Sequence, residues 1–154
     1  MNRNQLEQIE KEALNLIVDL GVEAAVEASF DEESGVINLQ IESPQPAILI
    51  GFHGETLHAL QLIFSFLVHQ ILGEWFKVWV NVGDYRQKRE EQLKKLALNL
   101  AMKAKFSGET QTVTGLSAAE RRIIHLTLAE HPDVFSESEG EGRQRIITIK
   151  PKNS

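Results

Sequence analysis

Apolar positions along the chain switch between two periods, and each switch marks an element. Leu6, Ile9, Ala13, Leu16, Ile17 and Leu20 recur at three- and four-residue steps, which predicts an amphipathic helix ending near Gly21, a suitable C-cap. Residues 22–30 and 36–41 then read as two strands. They are joined by the polar loop Asp31-Glu32-Glu33-Ser34-Gly35, and one face of this hairpin should meet the helix. Ser43-Pro44-Gln45-Pro46 breaks the chain, and residues 47–50 suffice for a single helical turn. Leu57, Leu60, Phe64, Leu67, Val68 and Ile71 form one helical stripe, flanked by Leu62, Ile63 and Phe66. A helix this apolar is expected to be covered on more than one side. Gly73 ends it, and residues 74–82 read as a strand rich in aromatic and β-branched side chains.

The pattern starts afresh after Gly83. Leu93, Leu96, Ala97, Leu100, Ala101 and Ala104 set the buried stripe of another long helix, stopped by Ser107-Gly108. Residues 111–113 form a short strand. Ser117-Ala118-Ala119-Glu120 is a capping box opening a helix that carries Arg121, Arg122 and His125. Residues 134–139 and 145–149 read as two strands about the turn Gly140-Glu141-Gly142. The expected architecture is therefore α+β in two small domains, residues 1–83 and 84–154, joined without a flexible linker.

Charge sharpens this division. The net charge is −6, but residues 1–83 hold three bases against twelve acids, whereas residues 84–154 hold thirteen bases against ten acids. A polyanion should find its cations in the second half. From Asp84 to Lys105 the chain carries seven bases, Arg86, Lys88, Arg89, Lys94, Lys95, Lys103 and Lys105, against three acids. Such runs are usually solvated helix faces, so phosphate contact and plain solvation are both open readings.

At 154 residues and 42% hydrophobic content, the chain can bury a core. It has no cysteine, which rules out disulfides and thiolate zinc sites and fits a reducing, cytoplasmic setting. Its first residues lack the basic-then-apolar pattern of a signal peptide. The most apolar run, residues 57–72, is interrupted by His58, Gln61, His69 and Gln70 and is shorter than a bilayer requires, so no membrane partner is expected.

Two motifs carry the chemistry. In L-I-G-F-H-G-E-T-L-H-A-L, residues 49–60, Gly51 and Gly54 bracket Phe52 and His53 and lead straight into a helix. Glycine permits backbone angles closed to other residues and lets a ligand approach the main chain. The free N–H groups and dipole of the following helix can seat phosphate oxygens. A tight turn between two helices is the plainer reading of any isolated G-x-x-G. In the second motif Arg121 and His125 stand four residues apart, neighbours on one helix face. Arginine offers a rigid fork of donors and a flat face for stacking, and histidine adds a second donor one turn away. The competing reading has His125 bonded to a carbonyl and Arg121 paired with Glu120 or another acid.

The order helix, strand, strand, short helix, G-x-x-G, long helix, strand resembles a bacterial type II KH domain, and L-I-G-F-H-G-E-T-L-H-A-L-Q is similar to that family's signature run. The two central positions are usually basic in the family. Here they are Phe52 and His53, so the resemblance implies phosphate contact through backbone N–H groups, with Phe52 free to stack on a base. E-R-R-I-I-H-L-T-L followed by S-E-S-E-G-E-G-R-Q-R resembles an R3H domain, with its Arg-x-x-x-His pair on Arg121 and His125. KH followed directly by R3H is similar to the Jag family, spoIIIJ-associated and also called KhpB. The amino-terminal Jag domain and charged linker that members often carry lie outside the resemblance.

The resemblance implies a cytoplasmic RNA-binding regulator linked to cell elongation and division, with a small KH-only protein as partner. The nucleic-acid contacts so implied fall on Gly51, Phe52, His53, Gly54, Arg86, Lys88, Arg89, Arg121, Arg122, His125 and Arg143, with Arg145 as a further basic neighbour.

Catalytic readings fare poorly. Five histidines are scattered, and His53 and His58 lack the i, i+4 spacing that puts two zinc ligands on one helix face. There is no phosphate-binding lysine loop or dinucleotide fingerprint, and the acids that a metal-dependent nuclease would need to cluster lie mostly on the first helix and hairpin surfaces, so neither enzyme activity, metal nor cofactor is expected. Two functions stay open. One is binding of single-stranded RNA, with single-stranded DNA as the competing polymer, along the glycine turn and the Arg-His face. The other is a protein-interaction module whose acidic KH-like half no longer binds nucleic acid.

Overall fold

The computed structural model describes residues 1–152 and divides into two compact units, Met1–Arg86 and Gln87 onward. In the first unit, α1 (Arg3–Asp19) opens with a capping box in which Asn2 and Gln5 satisfy each other's backbone N–H groups. The helix stops at Leu20, followed by Gly21 at φ 77°. Then come β1 (Ala25–Asp31), β2 (Val36–Glu42), the single-turn helix α2 (Pro46–Ile50), α3 (Glu55–Leu72) and β3 (Lys77–Val82). The sheet order is β1-β2-β3, with β1 and β2 antiparallel and β2 and β3 parallel in the register Leu39 to Val80. Its inner face, Ile37, Leu39, Ile41, Val78 and Val80, closes on Ile9, Ala13 and Ile17 of α1 and Leu57, Leu60, Phe64 and Val68 of α3. This is the α+β arrangement, in the element order, expected of the first domain.

In the second unit, α4 (Tyr85–Ser107) begins before the boundary and runs into it. It is followed by β4 (Gln111–Val113), α5 (Ala118–Leu128), β5 (Val134–Glu139) and β6 (Ile146–Pro151). The sheet order is β4-β6-β5, antiparallel throughout. Leu93, Ala97, Ala101 and Ala104 of α4 pack with Ile124 and Leu128 of α5 and with Val134, Ile147 and Ile149 beneath them. Leu96, expected in that stripe, is exposed.

Three expectations are corrected. The strand expected over 74–82 starts only at Lys77, because Trp75 folds back onto α3, stacked on His69 at 4.0 Å and edge-on to Phe66 at 5.4 Å. The strand expected over 145–149 is Ile146–Pro151, because Arg145 ends a 3-10 turn, Gly142–Gln144. The third concerns α3, which is covered on one side only: Leu62, Ile63 and Phe66 are exposed beside Trp75. The stretch Pro46–Leu72 has the length and hydropathy of a membrane span. It is nevertheless no continuous helix, since Gly51, His53 and Gly54 all take positive φ and turn the chain between α2 and α3.

Candidate nucleic-acid interface

The glycine turn is built from backbone constraints. Gly51 sits at φ 72° and ψ −173°, an angle pair open to glycine alone. A Cβ there would run into the Thr56 side chain and come within 2.9 Å of the Thr56 backbone nitrogen. Gly54 caps α3 at φ 81°, in the left-handed region, and a Cβ on it would lie 3.1 Å from the hydroxyl of Tyr85. Between them His53 is the one non-glycine residue with positive φ among the described residues, at 51°. Phe52 and His53 stack on each other at 3.9 Å and 20°, with Phe52 72% exposed. No side chain caps the start of α3 among the described residues, and the turn answers part of its own main chain: Gly51 N donates to Ala47 O at 2.9 Å, Gly54 N to Gly51 O at 3.4 Å and Glu55 N to Phe52 O, with the exposed Glu55 carboxylate in the first turn of the helix. The turn thus presents an aromatic tip and the His53 imidazole, without a lysine or arginine.

The second surface is made of side chains held by a rigid frame. Ser117 and Glu120 form the expected capping box, worth about 1 kcal/mol to the start of α5. Glu120 does more than cap. Its Oε1 accepts from Arg89 Nε at 2.7 Å while its Oε2 accepts from Ser117 N at 2.9 Å, so one largely buried carboxylate fastens α5 to α4.

Glu120 being spent in this way, Arg121 turns elsewhere. Its Nη1 donates to Leu116 O at 2.6 Å and to Arg145 O at 3.4 Å, while its Nε and Nη2 have no partner among the described residues. His125, exposed one turn later, bonds through Nδ1 to Ser136 Oγ at 2.7 Å. Both members of the pair are therefore anchored by one nitrogen and keep another for a ligand. Arg122, Arg143 and Arg145 are exposed residues of this unit, Arg143 on the 3-10 turn before β6. Lys150, by contrast, lies between Glu137 and Glu139 at 2.7 and 3.1 Å. These hydrogen bonds raise its pKa, and its charge is answered within the protein.

Two of the bases expected on an open cationic face belong to the fold instead. Arg86 donates from Nε to Val80 O at 3.0 Å and from Nη2 to Gln61 Oε1 at 2.7 Å, with its guanidinium 4.3 Å over the Trp79 ring. Burial lowers its pKa from the ordinary guanidinium value. It closes the free edge of β3, and Arg89 is the partner of Glu120 just described. Lys88 is exposed and makes internal contacts of its own. The sequence pattern offered no sign of Ser136 or of the second role of Glu120, because both depend on the pairing of distant elements.

These two domains and their surfaces define a tandem of a KH domain and an R3H domain. The family model for the KhpA/KhpB KH domain matches residues 7–81, and that for the R3H domain matches residues 91–151. Relatives named RNA-binding protein KhpB align with most of the chain. The Streptococcus pneumoniae protein is 33% identical over 148 residues, 94% of this chain and 44% of its own length. The Clostridium symbiosum protein is 33% identical over 150 residues, 96% of this chain and 64% of its own. The Bacillus subtilis protein is 30% identical over 128 residues, 80% of this chain and 62% of its own. The chain belongs to the KhpB (Jag) family, and it spans between about two fifths and two thirds of the length of these relatives.

Proposed function

We propose that the chain is a cytoplasmic RNA-binding protein that holds single-stranded RNA at two places. Backbone N–H groups at Gly51–Gly54 take a phosphate while Phe52 stacks on a base, and Arg121 with His125 forms the second contact, widened by Arg122 and Arg143. The names of the relatives support RNA as the polymer. The observation that carries the reading is the Arg121–His125 pair, each member fixed from inside by one nitrogen with another unspent. Such preorganised donors lose little entropy when a phosphate arrives. The test is fluorescence anisotropy with a labelled mixed-sequence single-stranded RNA across a salt series, and with single-stranded DNA of the same sequence as competitor. Binding at moderate salt that falls about tenfold or more in Arg121→Ala/His125→Ala supports the reading, as expected for loss of charge-assisted contacts. Affinity indifferent to both changes overturns it.

The exposed apolar face of α3, Leu62, Ile63 and Phe66 with Trp75 alongside, favours a second reading in which the acidic first unit docks a protein. A small KH-only protein, the partner implied by the family, is the candidate. Phe66→Glu should abolish such a complex in size-exclusion chromatography while leaving RNA affinity unchanged.

A further inference from the structure

The geometry points to Ser136 as the residue that fixes which nitrogen of His125 carries the proton, so that the neutral imidazole still presents an N–H to RNA. This rests on the reading of the Arg121–His125 face as a nucleic-acid surface. A neutral imidazole has one N–H and one bare nitrogen, and a bare nitrogen turned outward would repel a phosphate oxygen. Which form is present follows from the hydroxyl opposite.

Ser136 is 8% exposed, on β5, paired in register with the fully buried Ile149 and two residues from the fully buried Val134. Its Oγ lies 2.7 Å from His125 Nδ1 and has no other partner among the described residues. Were Nδ1 the donor, the serine proton would be left in this apolar setting without an acceptor, and a buried orphan donor is costlier than an under-used lone pair. The hydroxyl therefore donates to Nδ1, and the ring proton sits on Nε2, the nitrogen left for a ligand. Ser136 is in this sense a positioning residue. Arg121, one turn earlier on the same face, is oriented in parallel fashion by the carbonyls of Leu116 and Arg145. The outcome is a pair of donors whose direction is set by the sheet and the loop before α5.

The experiment is nitrogen-15 NMR of the imidazoles in the full chain at pH 8, where free imidazole is neutral, followed by RNA anisotropy on Ser136→Ala, Ser136→Thr, His125→Ala and Ser136→Ala/His125→Ala. His125 should be found with its proton on Nε2, and Ser136→Ala should mix the tautomers and weaken RNA binding about three- to fivefold, the net value of one hydrogen bond. Ser136→Thr should restore both properties. In the His125→Ala background the serine change should have no further effect. A proton on Nδ1 in the unaltered protein, or an equal loss from Ser136→Ala with and without His125, overturns the assignment. The tautomer is read without RNA, so a chain that fails to bind RNA but shows the Nε2 proton defeats the functional reading and leaves the serine's role standing.

Discussion

In the proposed function the glycine turn of the first unit and the Arg-His face of the second would offer a phosphate the same kind of hydrogen bond by opposite means. At Gly51–Gly54 the proposed donors are main chain, so the proposed site is the fold itself: the two glycines cannot change without moving Thr56 or Tyr85. At Arg121 and His125 the donors are side-chain tips on a frame that would stand without them, since α5 is held by Glu120, Arg89 and Ser117. Binding through the main chain and stability should accordingly be inseparable in the first unit, whereas binding through the Arg-His side chains and stability should be separable in the second. The bases nearest the Arg-His face divide the same way, some holding the frame and others facing outward.

The largest expected effect tests that division. Arg89→Ala leaves the largely buried Glu120 carboxylate without its cation, and breaking such a pair costs about 3 kcal/mol. Urea denaturation of the whole chain should show this loss in the second unit's transition. RNA affinity under folding conditions should change less than twofold. A variant that keeps its stability and loses RNA would return Arg89 to the binding surface.

Next in size is Gly51→Ala. A Cβ at φ 72° collides with Thr56, and together with the conformational cost this should remove about 2 kcal/mol from the first unit. Unlike Arg89→Ala, it should also weaken RNA binding, because the displaced backbone is the proposed phosphate seat. Thermal unfolding and anisotropy on the same samples decide the matter, and a stable variant with unaltered affinity would break the link between turn and fold.

Most of the fold was legible in the apolar periods: the α1 stripe as far as Ile17, the α3 stripe and the strand Val134–Glu139 fall where spacing placed them, whereas Leu20 lies exposed past the end of α1. The Ser117–Glu120 box was legible too, since its partners are three residues apart. What escaped depends on distance in sequence. Arg86 reaches Gln61 and Arg89 reaches Glu120, 25 and 31 residues away, so both looked like members of a solvated basic run. Trp75 read as a strand residue because its true neighbours, Phe66 and His69, lie across a turn. The outward face of α3 was expected to be covered because its composition is that of a core. Composition cannot say where a cover ends.

The smallest effect separates the two surfaces by salt rather than by affinity. Phe52 carries no charge and stands exposed on the turn, stacked on its neighbour His53. Replacing it by alanine should leave the Gly51 and Gly54 backbone in place and remove one base-stacking platform, worth about 1 kcal/mol or roughly fivefold in affinity. No counterion is released by a stacked ring, so the dependence of affinity on salt should keep its slope. Arg121→Ala should instead flatten that slope by about 0.7 for the one phosphate lost from a single strand. Anisotropy titrations of both variants at several salt concentrations measure the two slopes side by side. Equal slopes would mean that Arg121 meets no phosphate. A flatter slope for Phe52→Ala would mean that the turn's phosphate contact depends on its aromatic tip, and the contrast between a backbone seat and a side-chain seat would collapse.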